Sequence, residues 1–188
     1  MNELPVVVPS RGVLEVVTTS SSEAGLVAAC GALNLGLATP DDLRASDRRA
    51  AHWPNSLNSR LVLARADGKV ESVAEARTLH LMHSRGLPIP EPQVEVDNEH
   101  GRLVGRVDFL WRTHGVFLEF DGRIKYERFR RWGESLDAYV MREKRREELI
   151  CRLTGWSAIR LTWADLADPV TTARHIEAFL ARRTTPAA

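Results

Sequence analysis

The chain has 188 residues, 44% of them hydrophobic and 27% charged, with 26 Lys/Arg against 25 Asp/Glu. That length and balance mark an ordinary soluble globular protein, one domain with an appendage or two small ones, able to bury a real core. Cys30 and Cys151 lie far apart in partly apolar contexts and read as reduced thiols rather than a disulfide framework. With no secretory leader and no apolar run of about 18 residues, a cytoplasmic location without a membrane partner is expected.

In chain order, residues 6–8 and 13–18 suggest two short strands turned at Ser10-Arg11-Gly12. Serines 20–22 then cap a helix over 22–35, closed by Gly36. Thr39-Pro40-Asp41-Asp42 starts a short helix ending near 46, with Thr as N-cap, Pro at the first position and acids in the first turn. A third helix covers 56–65. Residues 1–70 thus form a small, mainly helical region with no clustered chemistry. A second domain runs over 71–183, opening on Ser72, which caps a helix and with Glu75 completes a capping box. Gly86 ends that helix, and Pro88, Pro90 and Pro92 force an extended connection into a strand over 93–96 and a turn over 97–101.

Residues 104–111 and 116–121 read as two strands joined by the turn Arg112-Thr113-His114-Gly115. Arg106, Asp108, Glu119 and Asp121 are out of place in these apolar runs. Alternation puts Glu119 and Asp121 on one face, with Val116, Leu118 and Phe120 on the other. If the four turn residues are the whole loop, Trp111 opposes Val116, Asp108 opposes Glu119 and Arg106 opposes Asp121. Three carboxylates on one face repel unless a cation sits among them, and a hard divalent ion held by carboxylates and a backbone carbonyl fits. The competing reading is a solvated acidic face.

Beyond the hairpin, residues 123–152 hold ten Lys/Arg against six acids. The segment 123–133 interleaves basic residues with Tyr126, Phe129 and Trp132, which suits either a nucleic acid with exposed bases or aromatics packed under a loop. A long helix over 136–153 can turn Leu136, Val140, Ile150 and Leu153 to the sheet, with Lys144 a turn beyond Val140. A strand over 156–163, with Arg160 among apolar neighbours, and a closing helix over 168–182 complete an α/β pattern: a mixed sheet flanked by helices.

Asp108, ten residues, then Glu119-x-Asp121-Gly122 resembles the PD-(D/E)XK nuclease superfamily, and more closely the branch related to very short patch repair endonucleases found in actinobacterial proteins. The similarity runs from about 71 to 166. It takes in Glu71-Ser72-x-x-Glu75, Gly86-Leu87-Pro88, Arg106-Val107-Asp108, Glu119-Phe120-Asp121-Gly122, Glu143-Lys144-x-Arg146 and Gly155-Trp156 leading to Arg160. The superfamily's usual lysine, two after the glutamate, is Asp121 here. The resemblance implies a restriction-endonuclease-like fold and a metal-dependent nuclease acting on DNA, in phage defence or DNA repair. Asp108, Glu119 and the Phe120 carbonyl would hold Mg²⁺ or Mn²⁺, with Asp121 or Glu75 completing the shell. Lys125 or Lys144 would supply the catalytic cation, and Arg123, Arg128, Arg130, Arg131, Arg145 and Arg146 would grip the DNA backbone. The alternative is a nuclease fold without catalysis that serves as a DNA-binding or antitoxin-type protein, with a protein partner from a defence or toxin–antitoxin system.

Overall fold

The computed structural model describes residues 6–121 and 133–183. The chain divides into two compact units, Met1–His80 and Leu81–Ala188. The division falls within a helix, later than the boundary at 70 read from sequence.

The first unit is helical: α1 (Pro9–Thr19), α2 (Ser22–Asn34), α3 (Pro40–Arg49), α4 (Ser56–Arg65) and the start of α5 (Val73–Arg85). The two strands expected before residue 19 are replaced by α1. Pro9 presets φ in its first turn, and Val13, Leu14, Val17 and Thr18 are buried at helical spacing. Packing against α2, α3 and α4 thus overrides the strand preference of a β-branched run. The capping box Thr39/Asp42 opens α3 as expected. That helix runs three residues past 46, and its last turn includes the buried Asp47, whose carboxylate accepts from Ser59 Oγ of α4 at 2.5 Å.

The second unit contains β1 (Glu91–Asp97), β2 (Leu103–Trp111), β3 (Val116–Phe120), α6 (Leu136–Thr154), β4 (Ser157–Leu161), α7 (Trp163–Ala167) and α8 (Pro169–Ala181). The strands form one mixed sheet in the order β1-β2-β3-β4, antiparallel except for the parallel β3–β4 pair. Between β2 and β3 the chain turns through a short 3₁₀ segment, Arg112–His114, and Gly115 at φ 57°. This left-handed position is one glycine adopts without a Cβ penalty. The register is the expected one, with Trp111 opposite Val116 and Phe109 opposite Leu118. All five residues of β3 are buried.

Helix α6 covers one face of the sheet through a buried cluster of Val96, Val107, Leu110, Phe117 and Ile150. Its orientation differs from the expected one: Tyr139 and Ile150 are buried, whereas Leu136, Val140 and Leu153 are 50%, 43% and 42% exposed. The inward stripe therefore runs Tyr139, Glu143, Arg146, Ile150. The helix presents charge to the sheet because the sheet presents Glu119 to it. The closing helix expected over 168–182 is α8, and the short α7 precedes it, where the strand expected over 156–163 has already ended at Leu161. Thr162 and Asp165 cap α7, and Asp168 caps α8 through the Thr171 amide before Pro169 starts it.

Candidate functional site

Pairing between β2 and β3 stops at Phe109 and Leu118. One step on, the carboxylate of Asp108 takes over, its Oδ2 accepting the Phe120 N–H at 2.8 Å. Asp108 is thereby tied to the strand end that carries Glu119 and Asp121. Arg106 stands opposite Glu95 of β1 in the strand register, and Arg160 Nη1 lies 3.8 Å from Asp121 Oδ2. The parallel register sets Arg160 beside Glu119.

Glu119 is 7% exposed. Its Oε1 accepts from Arg146 Nη2 at 2.6 Å, and its Oε2 lies 4.0 Å from Arg160 Nη2. Arg146 also donates from Nε to Glu143 Oε2 at 3.0 Å and from Nη1 to the Arg106 carbonyl at 3.2 Å. It reaches across β2 because Gly105 has no side chain: a Cβ there would stand 3.1 Å from Arg146 Nη1 and 3.2 Å from its Cδ. Arg160 donates from Nε and Nη2 to Glu147 at 2.7 and 2.6 Å. For both guanidiniums burial opposes the charge, but carboxylate neighbours outweigh it and hold them above their usual range. For Arg146 these are Glu119 and Glu143; for Arg160 they are Glu147, Glu119 and Asp121.

These groups border a cleft of about 250 Å³ lined by Glu119, Phe120, Asp121, Tyr139, Val140, Glu143, Lys144, Arg146, Glu147 and Arg160. Four acids face three cations, so the described lining carries a net charge of −1. Lys144 is exposed at this cleft, and Arg145 is exposed on α6. Arg146, expected to grip DNA, is instead engaged with Glu119. Glu75 belongs to the first unit. Its oxygens accept from Ser72 Oγ at 2.7 Å and from the Glu71 N–H at 3.0 Å, which is the capping role. The positions assigned to Arg123, Lys125, Arg128, Arg130 and Arg131 lie outside the described residues.

The structure thus gathers Glu119, Phe120, Asp121 and Lys144 at the cleft and ties Asp108 to the Phe120 amide. It adds Arg160, Glu143 and Glu147, which sequence reasoning left out of the site. Arg160 carried a usable signal, since it is a charge inside an apolar strand, the same anomaly that singled out Glu119. Among the described residues, no group of three or more His, Cys, Asp or Glu side chains is arranged to hold a metal. The donors near the end of β3, carboxylates and a peptide carbonyl, are nonetheless the hard oxygen type that Mg²⁺ and Mn²⁺ take. No helix among the described residues is long and apolar enough to cross a membrane.

No family model matches the chain, and no solved structure matches it. Two curated proteins of Mycobacterium tuberculosis are similar over part of it. They are the uncharacterized protein MT2308 of strain CDC 1551 / Oshkosh and the uncharacterized protein Rv2248 of strain ATCC 25618 / H37Rv. Each is 36% identical over 63 residues, which is 34% of this chain and 23% of the relative, so the match spans less than a quarter of those proteins.

Proposed function

We propose that the second unit is a restriction-endonuclease-like domain that hydrolyses DNA phosphodiesters with the help of a divalent cation. The observation that carries this reading is the bond from the Phe120 N–H to Asp108, which ties that carboxylate to the strand end bearing Glu119, beside a cleft bordered by Lys144 and two arginines. The charge balance supports a cation requirement. A phosphodiester is itself an anion, and the described lining is net negative, so entry needs added positive charge.

Asp108, Glu119 and the Phe120 carbonyl, with Asp121 beside them, would hold Mg²⁺ or Mn²⁺. The ion would supply a water of lowered pKa and positive charge at the scissile phosphate. The chain's residues do the rest. The Phe120 N–H fixes the orientation of Asp108. Glu143 gives Arg146 a second carboxylate when Glu119 turns to another partner. Lys144 stands at the cleft to neutralise phosphate oxygens, and because its Cα sits on a packed helix, we favour it over Lys125 as the catalytic cation. Arg145 is free to face the DNA backbone.

A second reading, a DNA-binding or antitoxin-type module without catalysis, is favoured by one observation. Glu119 already has a guanidinium partner, while Asp121 stands where the superfamily places lysine. Calorimetric titration with Mn²⁺, together with cleavage of a labelled duplex, separates the two. Binding should disappear in Asp108→Ala and in Glu119→Ala, and Lys144→Ala should cut single-turnover cleavage about a hundredfold while metal affinity stays intact. If Lys125→Ala alone stops turnover, Lys125 holds that role. Unchanged titration in both acid variants refutes the metal site. DNA binding by a wild type that cleaves nothing establishes the second reading.

A further inference from the structure

Arg160 projects from β4, level with Glu119 on the neighbouring parallel strand. Its guanidinium is hydrogen-bonded to Glu147 through Nε and Nη2, while Glu119 at 4.0 Å from Nη2 and Asp121 at 3.8 Å from Nη1 stand beyond hydrogen-bond distance. The side chain is 41% exposed and borders the cleft. Arg146, by contrast, is 22% exposed and gives its donors to Glu119, Glu143 and the Arg106 carbonyl. Of the two arginines at the cleft, Arg160 therefore keeps donors turned to a ligand.

We propose that Arg160 contacts the substrate phosphate in addition to Lys144, with Glu147 positioning it. The proposal rests on the reading of the second unit as a nuclease-fold DNA-engaging domain. A guanidinium presents paired N–H groups that match phosphate oxygens, which a lysine ammonium does only as a point charge. Delivery from a strand paired to the central β3 gives the placement that a positioned cation needs. A further positive charge is thus supplied from the next strand across, level with Glu119. Glu147 holds the fork from behind, on α6, and leaves Nη1 to the ligand.

The test uses the full chain and a short fluorescent duplex, titrated over a NaCl series at constant Ca²⁺ and then assayed for single-turnover cleavage with Mn²⁺. Arg160→Gln should weaken binding and flatten the log-affinity versus log-salt slope by about 0.9, the value of one lost phosphate contact. Glu147→Gln leaves the charge of Arg160 in place, so the slope should hold while cleavage drops about tenfold from lost positioning. Arg160→Lys should keep the slope and recover cleavage only in part. If Arg160→Gln fails to fold, Arg160→Ala combined with Glu147→Ala removes the pair without stranding a charge and carries the same expected loss of slope. A slope and affinity equal to wild type in a folded Arg160 variant overturn the proposal while leaving the nuclease reading standing. A wild type that binds duplex but cleaves nothing, with the slope still flattened in Arg160→Gln, removes the nuclease reading and keeps Arg160 as the phosphate contact. A wild type without salt-dependent duplex binding overturns the proposal.

Discussion

Replacing Glu119 with Gln tests the electrostatics of the site most directly. Three crowded carboxylates on one sheet face would repel, and removing one would then stabilise the protein in the absence of metal. The structure reverses that sign, because Glu119 is 7% exposed and lies 2.6 Å from Arg146 Nη2. Stranding one partner of a fully buried pair costs about 3–5 kcal/mol. Arg146 is not fully stranded: it keeps Glu143 at 3.0 Å and the Arg106 carbonyl at 3.2 Å, and its side chain is 22% exposed. The cost then reduces to one hydrogen bond between charged groups, about 2 kcal/mol. In a domain of this size that corresponds to a fall in Tm of roughly 8 °C. Urea unfolding followed by tryptophan fluorescence, without divalent ions, measures it. A double-mutant cycle with Arg146→Gln should return a coupling of about 1–3 kcal/mol. A Glu119→Gln protein as stable as wild type, or more stable, would show that the acids repel and that the ion pair contributes nothing.

Two further expectations follow from the same geometry. Gly105→Ala should push Arg146 off Glu119, since the new Cβ meets its Nη1, Cδ and Cγ at 3.1–3.4 Å. Its cost should not add to that of Glu119→Gln, which the double variant's unfolding curve would show. In the first unit, burial holds the His80 imidazole below its ordinary 6.5, against the pull of Glu23 and with Arg65 and Arg77 pushing the same way as burial. The unfolded chain then binds the proton more readily, so stability is full above pH 6.5 and is lost as pH falls through the lower folded value. Melting curves across that range should be flatter for His80→Gln, and a slope unchanged by the substitution would remove His80 as the cause.

The parts of the fold legible in the sequence were those governed by local chemistry. The Thr39 capping box, Gly86 and the turn at Arg112–Gly115 each satisfy a short-range requirement, and each stands where expected. Counting outward from that turn gave the β2–β3 register because Gly115 supplies the positive φ that ends a four-residue connection. What failed depended on distant partners. The β-branched residues of α1 are helical because they pack on other helices, and Asp121 has a guanidinium neighbour, Arg160, from a strand that joins the sheet later in the chain. The face of α6 was misjudged because apolar periodicity selects Val140 and Leu153, whereas Glu119 draws Arg146 inward. A hydrophobic pattern does not register a carboxylate waiting on the opposite surface.

The bond from the Phe120 amide to Asp108 has a consequence for observation. An amide proton held by a carboxylate, rather than by a ladder carbonyl, senses whatever else that carboxylate is doing. Protonating Asp108, or drawing its oxygens toward a cation, changes the shielding of that one proton and its exchange with solvent. Its resonance in a ¹⁵N-labelled sample is therefore a built-in gauge of occupancy. It can be read at a single backbone position without touching any side chain of the cleft.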